Sequence, residues 1–350
     1  MEDPNSPILR MARKIFQFRF KTIFRHAIPH PPKLLLKMFK LSYMDEEVQD
    51  FFMTTMRKAI NLRKRSLNPR NDLVTILLFN KNRHISENPD LDQEKMSNGE
   101  HNEPIEEETT MEFKVAQCYV FFAAGFETTS SALSYLMMEL ALNRSIQNKV
   151  REEIIEILQK YNGEITNDSV REMTYTDMVI SEGLRLHAPA VILIRKCTKE
   201  YQIPNSKAII PEKMLVVASV LGLHKDPRYY EKPDEFYPEH FTEEAKNNRP
   251  SCAYIPFGEG PRACIGERFA KFEIKLAVIH MIKDYVFEIS PKMKFPLEYA
   301  HDMKLGLMAP RGGIWLQCKK YEMQKPLTSY TSYEEKLDLL DLDSLDSMAE

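Results

Sequence analysis

A cysteine in a glycine-rich loop is the residue of this 350-residue chain with the clearest capacity for chemistry. Cys264 lies between Gly260 and Gly266, which lack a Cβ and therefore allow a flat ligand to approach the backbone closely. Arg262 is a permanent cation two residues before the sulfur, where it favours a thiolate and can hold a ligand carboxylate. A helix predicted from residue 267 directs its N-terminal N–H groups at the sulfur, and these groups also stabilise a thiolate. Such a thiolate is a soft, electron-rich ligand for iron.

Three other interpretations of this loop remain open on the residues alone. A glycine pattern that begins at Gly258 fits the fingerprint of dinucleotide-binding folds, although two prolines disturb the strand–turn–helix context that this fingerprint requires. Cys252 and Cys264 could belong to a structural zinc site, but they lack the paired C-x-x-C spacing. A buried free cysteine would need no special chemistry. That interpretation leaves the phenylalanine, the glycines and the arginine of the loop unexplained.

The loop from residue 257 to 266, called the cysteine loop below, reads Phe-Gly-Glu-Gly-Pro-Arg-Ala-Cys-Ile-Gly. Its pattern Phe-x-x-Gly-x-Arg-x-Cys-x-Gly resembles the haem-binding signature of the cytochrome P-450 family of haem-thiolate monooxygenases. The resemblance implies haem b as the cofactor and Cys264 as the ligand of its iron. Arg195, at the end of a predicted strand, resembles the family arginine that pairs with a haem propionate. The loop residues implied to bind the cofactor are Phe257, Gly260, Arg262 and Gly266.

A long helix is predicted over residues 109–143, and it contains Ala-Gly-Phe-Glu-Thr-Thr at residues 124–129. A glycine inside a helix costs about 1 kcal/mol relative to alanine, so it usually has a reason. On residues alone, Thr128 could bond back to a carbonyl while Glu127 faces solvent. The segment resembles the oxygen-activation segment of the same family. That resemblance implies space for dioxygen at Gly125, a hydrogen bond from Thr128, and proton delivery through Glu127.

Glu182 and Arg185 lie three positions apart on a predicted helix, where they share a face and can pair in a bidentate way. Such pairs are common on protein surfaces and carry little information alone. This one stands where the family places its Glu-x-x-Arg pair, which implies a structural role in holding the cysteine loop. His240 replaces an arginine that usually completes this group. Because a neutral imidazole donates one hydrogen bond where a guanidinium donates several, the sequence predicts a weaker network.

Composition and charge narrow the class of protein. The chain is 43% hydrophobic with a net charge of −3, which indicates a globular core and argues against a nucleic-acid partner. Its five scattered cysteines predict free thiols in a reducing compartment. No apolar run reaches the length of a membrane span. Residues 1–40 carry nine Lys/Arg against two acids, interleaved with aromatics, which predicts contact with a membrane surface or an amphipathic helix on the rim of the protein.

The predicted fold is mainly α with a small β portion, a cytochrome P-450 fold that lacks the family's N-terminal anchor and early helices and strands. Leu305-Gly306-Leu307-Met308 resembles the family's late substrate loop, and Trp315 is predicted to lie on the final strand. The regions predicted in chain order are a basic helical part at 1–81, an acidic loop at 82–108, a haem-binding core at 109–320, and an acidic disordered tail at 321–350.

The resemblance is closest to the insect microsomal group that metabolises xenobiotics. It implies insertion of one oxygen atom from O2 into small apolar substrates, at the cytoplasmic face of the endoplasmic reticulum membrane. Electrons would come from NADPH through a reductase, for which Arg268 and Lys271 are candidate contacts. One alternative is a catalytically silent fragment that does not bind haem stably. Another is a haem protein that rearranges an oxygenated substrate without a reductase, but Glu127 and Thr128 argue against it because that reaction needs no proton relay to dioxygen.

Overall fold

The computed structural model describes residues 6–15, 45–65, 70, 72–79, 110–298, 307 and 310–322. The described part is mainly helical with three two-stranded antiparallel sheets, which confirms the predicted fold class. The helices are α1 (Pro7–Ile15), α2 (Glu46–Lys64), α3 (Leu73–Phe79), α4 (Met111–Leu142), α5 (Arg144–Lys160), α6 (Asn167–Glu172), α7 (Thr174–Leu186), α8 (Val220–His224), α9 (Glu243–Asn247) and α10 (Glu267–Asp284). The strands are β1 (Ile192–Lys196), β2 (Tyr201–Gln202), β3 (Ile209–Ile210), β4 (Leu215–Ser219), β5 (Tyr285–Ile289) and β6 (Leu316–Lys320).

Several predicted features lie outside the described residues. They are the acidic loop at 82–108, most of the acidic tail, the basic and aromatic stretch at 16–44, and three of the four residues of the predicted substrate loop. Among the helices that the structure does describe, none combines the length and the apolar character that a bilayer crossing requires.

Helix α4 is the longest described element and supplies one wall of the core. Thr110 caps it, since its Oγ1 accepts a hydrogen bond of 3.2 Å from the N–H of Phe113. Its 32 residues extend roughly 48 Å at 1.5 Å per residue. The helix predicted over residues 109–143 is thereby confirmed. Its C-terminal half is buried, whereas the part around residues 120–130 is more exposed.

The main core lies between the C-terminal half of α4 and helices α5, α7 and α10. Each helix contributes apolar side chains at the three- and four-residue spacing of a buried face. This packing fixes α7, which carries the Glu-x-x-Arg pair, against α10, which follows the cysteine loop. The fully or nearly fully buried members include Leu136, Leu140, Val150, Ile154, Val179, Leu184, Val278 and Ile282.

Two charged side chains of α5 hold the ends of the other core helices. Glu153 accepts hydrogen bonds of 2.7 and 2.8 Å from the N–H of Tyr175 and of the next residue, so it caps the start of α7 from a neighbouring helix. Buried Arg151 donates to the carbonyls of Ile282 (2.9 Å) and Tyr285 (2.8 Å) at the end of α10. Both site-bearing helices are therefore anchored to α5.

Two small sheets flank the helices. In the β1–β4 pair, Leu193 and Arg195 lie on one face and Ile194 on the other, because successive side chains alternate along a strand. The ladder of the β5–β6 pair ends where Ile289 faces Leu316. The final strand therefore begins one residue after Trp315, and the prediction that this tryptophan lies on the strand is wrong by one position.

Candidate functional site

The cysteine loop is shaped by two glycines in the left-handed region of backbone space. Gly258 and Gly260 have φ of 78° and 80°, which residues with a Cβ rarely adopt. The loop turns back on itself, because the N–H of Cys264 donates to the carbonyl of Phe257 at 2.8 Å. A second bond joins the N–H of Ala263 to the carbonyl of Gly260 at 2.9 Å. This folding places the sulfur directly before the first turn of α10.

The surroundings of the sulfur are open and apolar. Cys264 is exposed, and so are Ile265 and Phe269, with 87% and 73% of their surface accessible. Gly266 is the N-cap of α10 and makes no side-chain capping bond. A Cβ built on Gly266 would lie 3.8 Å from the Cys264 sulfur, so this backbone passes beside it. A thiol at a helix N-terminus, flanked by uncovered apolar side chains, is suited to receive a large apolar ligand.

Two guanidinium groups lie near the cysteine loop without a carboxylate partner. Arg262 is exposed within the loop. Arg195 shares a strand face with Leu193, whose Cδ1 would lie 3.9 Å from a Cβ on Gly258, so this face of β1 is turned toward the loop. The side chain of Arg195 donates only to the backbone oxygen of Ile194, at 3.0 Å. In the part of the chain that the structure describes, neither guanidinium forms an ion pair, so both can hold ligand carboxylates.

The segment at residues 124–129 lies on the more exposed part of α4. No heavy atom comes within 4 Å of a Cβ built on Gly125. The hydroxyl of Thr128 donates to the carbonyl of Ala124 at 2.6 Å, which is the backward bond expected of threonine in a helix. The lone pairs of this oxygen remain able to accept another hydrogen bond. Glu127 is half-buried, and within the described residues neither Gly125 nor Thr128 is bonded to the cysteine loop.

The Glu-x-x-Arg pair is completely buried and forms a fork. Nε and Nη2 of Arg185 donate to the two carboxylate oxygens of Glu182 at 2.8 and 2.7 Å. Its other N–H groups donate to the carbonyls of His224 (2.8 Å), Pro233 (2.7 Å) and Glu235 (2.9 Å). All five donors of the guanidinium are therefore satisfied. A buried ion pair with this complete set of bonds fixes the segment after α8 against α7.

His240 completes this group, called the polar lock below (Glu182, Arg185 and His240). Its Nδ1–H donates to both oxygens of Glu182, at 3.2 and 3.3 Å. The backbone N–H of Tyr237 adds a bond of 2.9 Å to the same carboxylate. Burial raises the pKa of Glu182, but the hydrogen bonds from Arg185 and His240 outweigh burial and hold that pKa below its ordinary value. Nε2 of His240 is buried and has no partner among the described residues.

Sequence reasoning missed His224, which connects the polar lock to the cysteine loop. This residue is fully buried; its Nδ1–H donates to the carbonyl of Arg185 at 3.1 Å, and its Nε2 accepts the N–H of Ile255 at 3.0 Å. Burial, with a smaller contribution from the charge of Arg185, lowers the pKa of His224 to about 4. The only signal in the sequence was spacing: Val220 and His224 are four residues apart, so on a helix the histidine would share a face with an apolar residue.

Arg249 was also missed. Its Nη1 donates to the carbonyl of His240 at 3.1 Å, and its guanidinium lies 4.6 Å from the ring centre of Tyr230 and 5.0 Å from that of Phe241. The hydroxyl of Tyr230 donates to the carbonyl of Ala253 at 3.1 Å, and burial raises its pKa to about 12. These contacts connect the polar lock to the chain just before the cysteine loop.

The alternatives left open for the cysteine loop do not agree with the structure. Within the described ranges, no group of three or more His, Cys, Asp or Glu side chains is placed to hold a metal ion, so these residues give the zinc interpretation no support. The loop follows a short 3-10 helix (Ser251–Ala253) and not a strand, so the dinucleotide fingerprint lacks its context. Cys264 is exposed, which excludes a buried structural cysteine. All five cysteines are free thiols in the structure.

Sequence comparison decides the family. The family profile described as Cytochrome P450 matches residues 1–316. The chain belongs to the cytochrome P450 family. It is similar to probable cytochrome P450 6a13 of Drosophila melanogaster, with 35% identity over 92% of this chain and 61% of the relative. It is also similar to cytochrome P450 6k1 of Blattella germanica, with 34% identity over 93% of this chain and 62% of the relative. The chain thus spans about three fifths of the length of these curated relatives.

Haem is the group that membership of the cytochrome P450 family implies, and the described residues fit it. The exposed sulfur of Cys264 supplies a soft ligand, and the uncovered side chains of Ile265 and Phe269 supply apolar contact. The unpaired guanidiniums of Arg195 and Arg262 suit two carboxylates. A ligand for the iron, apolar contacts for the ring and cations for the two carboxylates are therefore all present at or beside the cysteine loop.

Proposed function

We propose that this cytochrome P450 is a haem-thiolate monooxygenase that inserts one oxygen atom from O2 into small apolar substrates, with xenobiotics as the substrate class. The observation that carries the proposal is the placement of Cys264, whose sulfur is exposed at the uncapped N-terminus of α10. Haem, when bound there, supplies the activation of dioxygen. The similarity to insect cytochromes P450 supports the substrate class.

The chain's own residues hold the cofactor and tune its ligand. Cys264 would bind the iron through its sulfur, and the N-terminal end of α10 would stabilise the negative charge of that sulfur. Arg262 and Arg195 pair with the propionates of the cofactor. Phe257 packs on the main core from within the loop, and Gly260 allows the turn, so both support close approach of a flat ring.

In this proposal, residues of α4 supply space for dioxygen and the groups that move protons. Gly125 leaves room, since nothing lies within 4 Å of its missing Cβ. Thr128 directs its hydroxyl proton to the carbonyl of Ala124, so its oxygen accepts a proton-bearing water. Half-buried Glu127 is the acid that exchanges protons with that water.

The proposal also covers the electron donor and the location of the protein in the cell. We place the donor, an NADPH-dependent reductase, at the face that carries Arg268, which is exposed one turn beyond the cysteine loop. Lys271 is the weaker candidate, because it bonds to Glu267 at 2.6 Å and lies 5.4 Å from the ring centre of Phe257. The basic composition of residues 1–40 supports contact with a membrane surface, at the cytoplasmic face of the endoplasmic reticulum. Residues 109–320 form the proposed haem-binding core.

Spectroscopy of the reduced chain under carbon monoxide tests the ligand. We expect a red-shifted thiolate Soret band from the complete chain reconstituted with haem. Cys264→Ala should abolish this band, whereas the matched control Cys252→Ala, an exposed cysteine 12 positions earlier, should keep it. No haem absorbance in any variant would support the alternative of a catalytically silent fragment. A thiolate band that survives in Cys264→Ala would show that another residue binds the iron.

The proton role of Thr128 predicts a change in coupling without a change in binding. Thr128→Ala should leave haem uptake intact and lower the product formed per O2 consumed by about a hundredfold, the low side of what a positioned proton-transfer group contributes. Thr129→Ala, at the adjacent position, is the control and should stay coupled. Product and oxygen consumption are measured together with a reductase present. Equal coupling in the two variants would contradict the role.

A further inference from the structure

His224 makes a reciprocal connection with the polar lock. The guanidinium of Arg185 donates to the carbonyl of His224 at 2.8 Å, and the ring Nδ1–H of His224 donates to the carbonyl of Arg185 at 3.1 Å. Each residue therefore uses its side chain to hold the backbone of the other. Both side chains are completely buried, so neither bond competes with water.

The other ring nitrogen of His224 reaches Ile255, two residues before the cysteine loop. Its Nε2 accepts the N–H of Ile255 at 3.0 Å, and the carbonyl of Ile255 accepts the N–H of Gly258 at 3.1 Å. Two residues after Ile255, the carbonyl of Phe257 accepts the N–H of Cys264 at 2.8 Å. A short sequence of backbone hydrogen bonds thus leads from the imidazole to the cysteine.

This geometry requires one particular protonation state. Nδ1 must carry a proton for the carbonyl of Arg185, and Nε2 must have a free lone pair for the N–H of Ile255. The neutral imidazole alone has one donor and one acceptor at these positions. Burial, the bond to Arg185 and the nearby charges leave the pKa of His224 at about 4, so the neutral form is present at neutral pH.

We propose that His224 is a positioning residue for the proposed thiolate ligand: it ties the polar lock to Ile255 and so fixes where the cysteine loop presents Cys264. The role of presenting a thiolate ligand rests on the proposed function. The hydrogen-bond path is independent of haem. Without His224, the N–H of Ile255 is left buried and unpaired, and the bond from the polar lock to Ile255 is lost, while the hydroxyl of Tyr254 still donates to the carbonyl of Ser181 on α7 at 3.0 Å.

Three substitutions in the complete chain separate the two bonds. His224→Asn retains a donor close to the position of Nδ1 and leaves Ile255 unpaired. His224→Gln places a carboxamide oxygen near the position of Nε2 and can still accept from Ile255. His224→Phe removes both bonds and keeps the ring volume. Ile154→Val is the control for a general loss of stability, because Ile154 is fully buried in the main core on α5.

Amide hydrogen exchange of the haem-free chain is the first readout. We expect the amides of Ile255 and Cys264 to exchange about tenfold faster or more in His224→Phe and His224→Asn. The buried N–H of Ile255 has then lost its acceptor, and the loop that holds the Cys264 amide is no longer tied to the polar lock. His224→Gln should restore slow exchange, and Ile154→Val should not change these two amides relative to others in the core. Faster exchange at Ile255 without a change at Cys264 would overturn the proposal.

The carbon monoxide spectrum of the haem-loaded chain is the second readout. His224→Phe and His224→Asn should convert part of the thiolate band to the band of a displaced or neutral ligand, and His224→Gln should restore it. An unchanged thiolate fraction in all three variants would also overturn the proposal. If the wild-type chain shows no haem absorbance, the proposed function fails, while the exchange of the Cys264 amide still decides whether His224 positions the loop.

Discussion

The polar lock and the cysteine loop are neighbouring regions built on opposite principles. In the lock, Glu182 and Arg185 are fully buried, and every guanidinium donor has an acceptor. In the loop, the cysteine and the two apolar side chains that follow on its α10 side are exposed. Glu182 and Arg185 find all their partners within the chain, whereas the loop presents exposed groups that a ligand can bind. A rigid, buried lock therefore supports a neighbouring loop whose groups are free to bind a ligand.

Breaking the buried pair should have the largest effect on stability. Glu182→Ala leaves the charge of Arg185 buried without its partner, and we expect a loss of about 3–5 kcal/mol in the free energy of unfolding. The matched substitution beside the cysteine loop is Glu267→Ala, which breaks an exposed pair with Lys271 and should cost about 0.5 kcal/mol or less. Urea unfolding measures both. Equal losses of unfolding free energy in the two variants would mean that the buried pair stabilises the fold no more than the exposed pair does.

The pH dependence of stability should reveal His224 as the titrating member of the buried region. Its pKa is about 4 in the folded chain, whereas the pKa of an unperturbed histidine is 6.5, so the unfolded chain binds the proton more tightly. Its contribution to stability is complete above pH 6.5 and is lost as the pH falls toward 4, by about 3 kcal/mol in total. The charges that face it are Arg185 and Arg249, which lower the pKa, and Glu182, which raises it.

His224→Gln removes this titration and should flatten the loss of stability between pH 6.5 and 4. His280→Gln is the control, since His280 is an exposed histidine on α10. The free energy of unfolding, measured by urea titration at each pH, distinguishes the two. An unchanged slope in His224→Gln would place the acid sensitivity elsewhere.

The exposed apolar side chains of the loop region should matter for the cofactor and not for the fold. Ile265→Ser and Phe269→Ser should change the free energy of unfolding of the haem-free chain by about 0.5 kcal/mol or less. Each should weaken haem retention, by up to about 1.5–3 kcal/mol if the cofactor covers the side chain completely. Leu62→Ser on α2 is the control, because Leu62 is 70% exposed.

Haem affinity is measured by transfer to a scavenging protein. If haem retention falls equally in Leu62→Ser, exposed apolar residues contribute to haem retention wherever they lie. Retention that is unchanged in both loop variants would separate these side chains from the cofactor.

Features with a fixed local spacing were predictable from the sequence. Thr110 and Asp45 are helix caps of this kind, because capping depends on a side chain and an N–H two or three residues later. The pairing of Glu182 with Arg185 is predictable for the same reason, since three positions on a helix bring their side chains together.

Features made by long-range contacts were not predictable. Arg249 and Arg151 each bond to backbone carbonyls, and a carbonyl carries no residue identity that a sequence pattern could identify. The connection from His224 to Ile255 joins residues 31 positions apart. Trp315 was misplaced by one residue because the end of a ladder depends on the partner strand. Local patterns were enough to propose the candidate reacting groups, and the tertiary fold decided which residues support them.

The bonds of the polar lock join residues that are far apart in the chain. Arg185 bonds to residues 39 and 50 positions away, and Glu182 to His240 58 positions away. Closing loops of this length costs entropy that a single bond does not recover, so such contacts form after local helices have packed. We therefore expect the lock to close late, and the sulfur to reach its final place only when most of the folding transition is complete. In the proposed function, haem would then be captured last, by helices that are already in place.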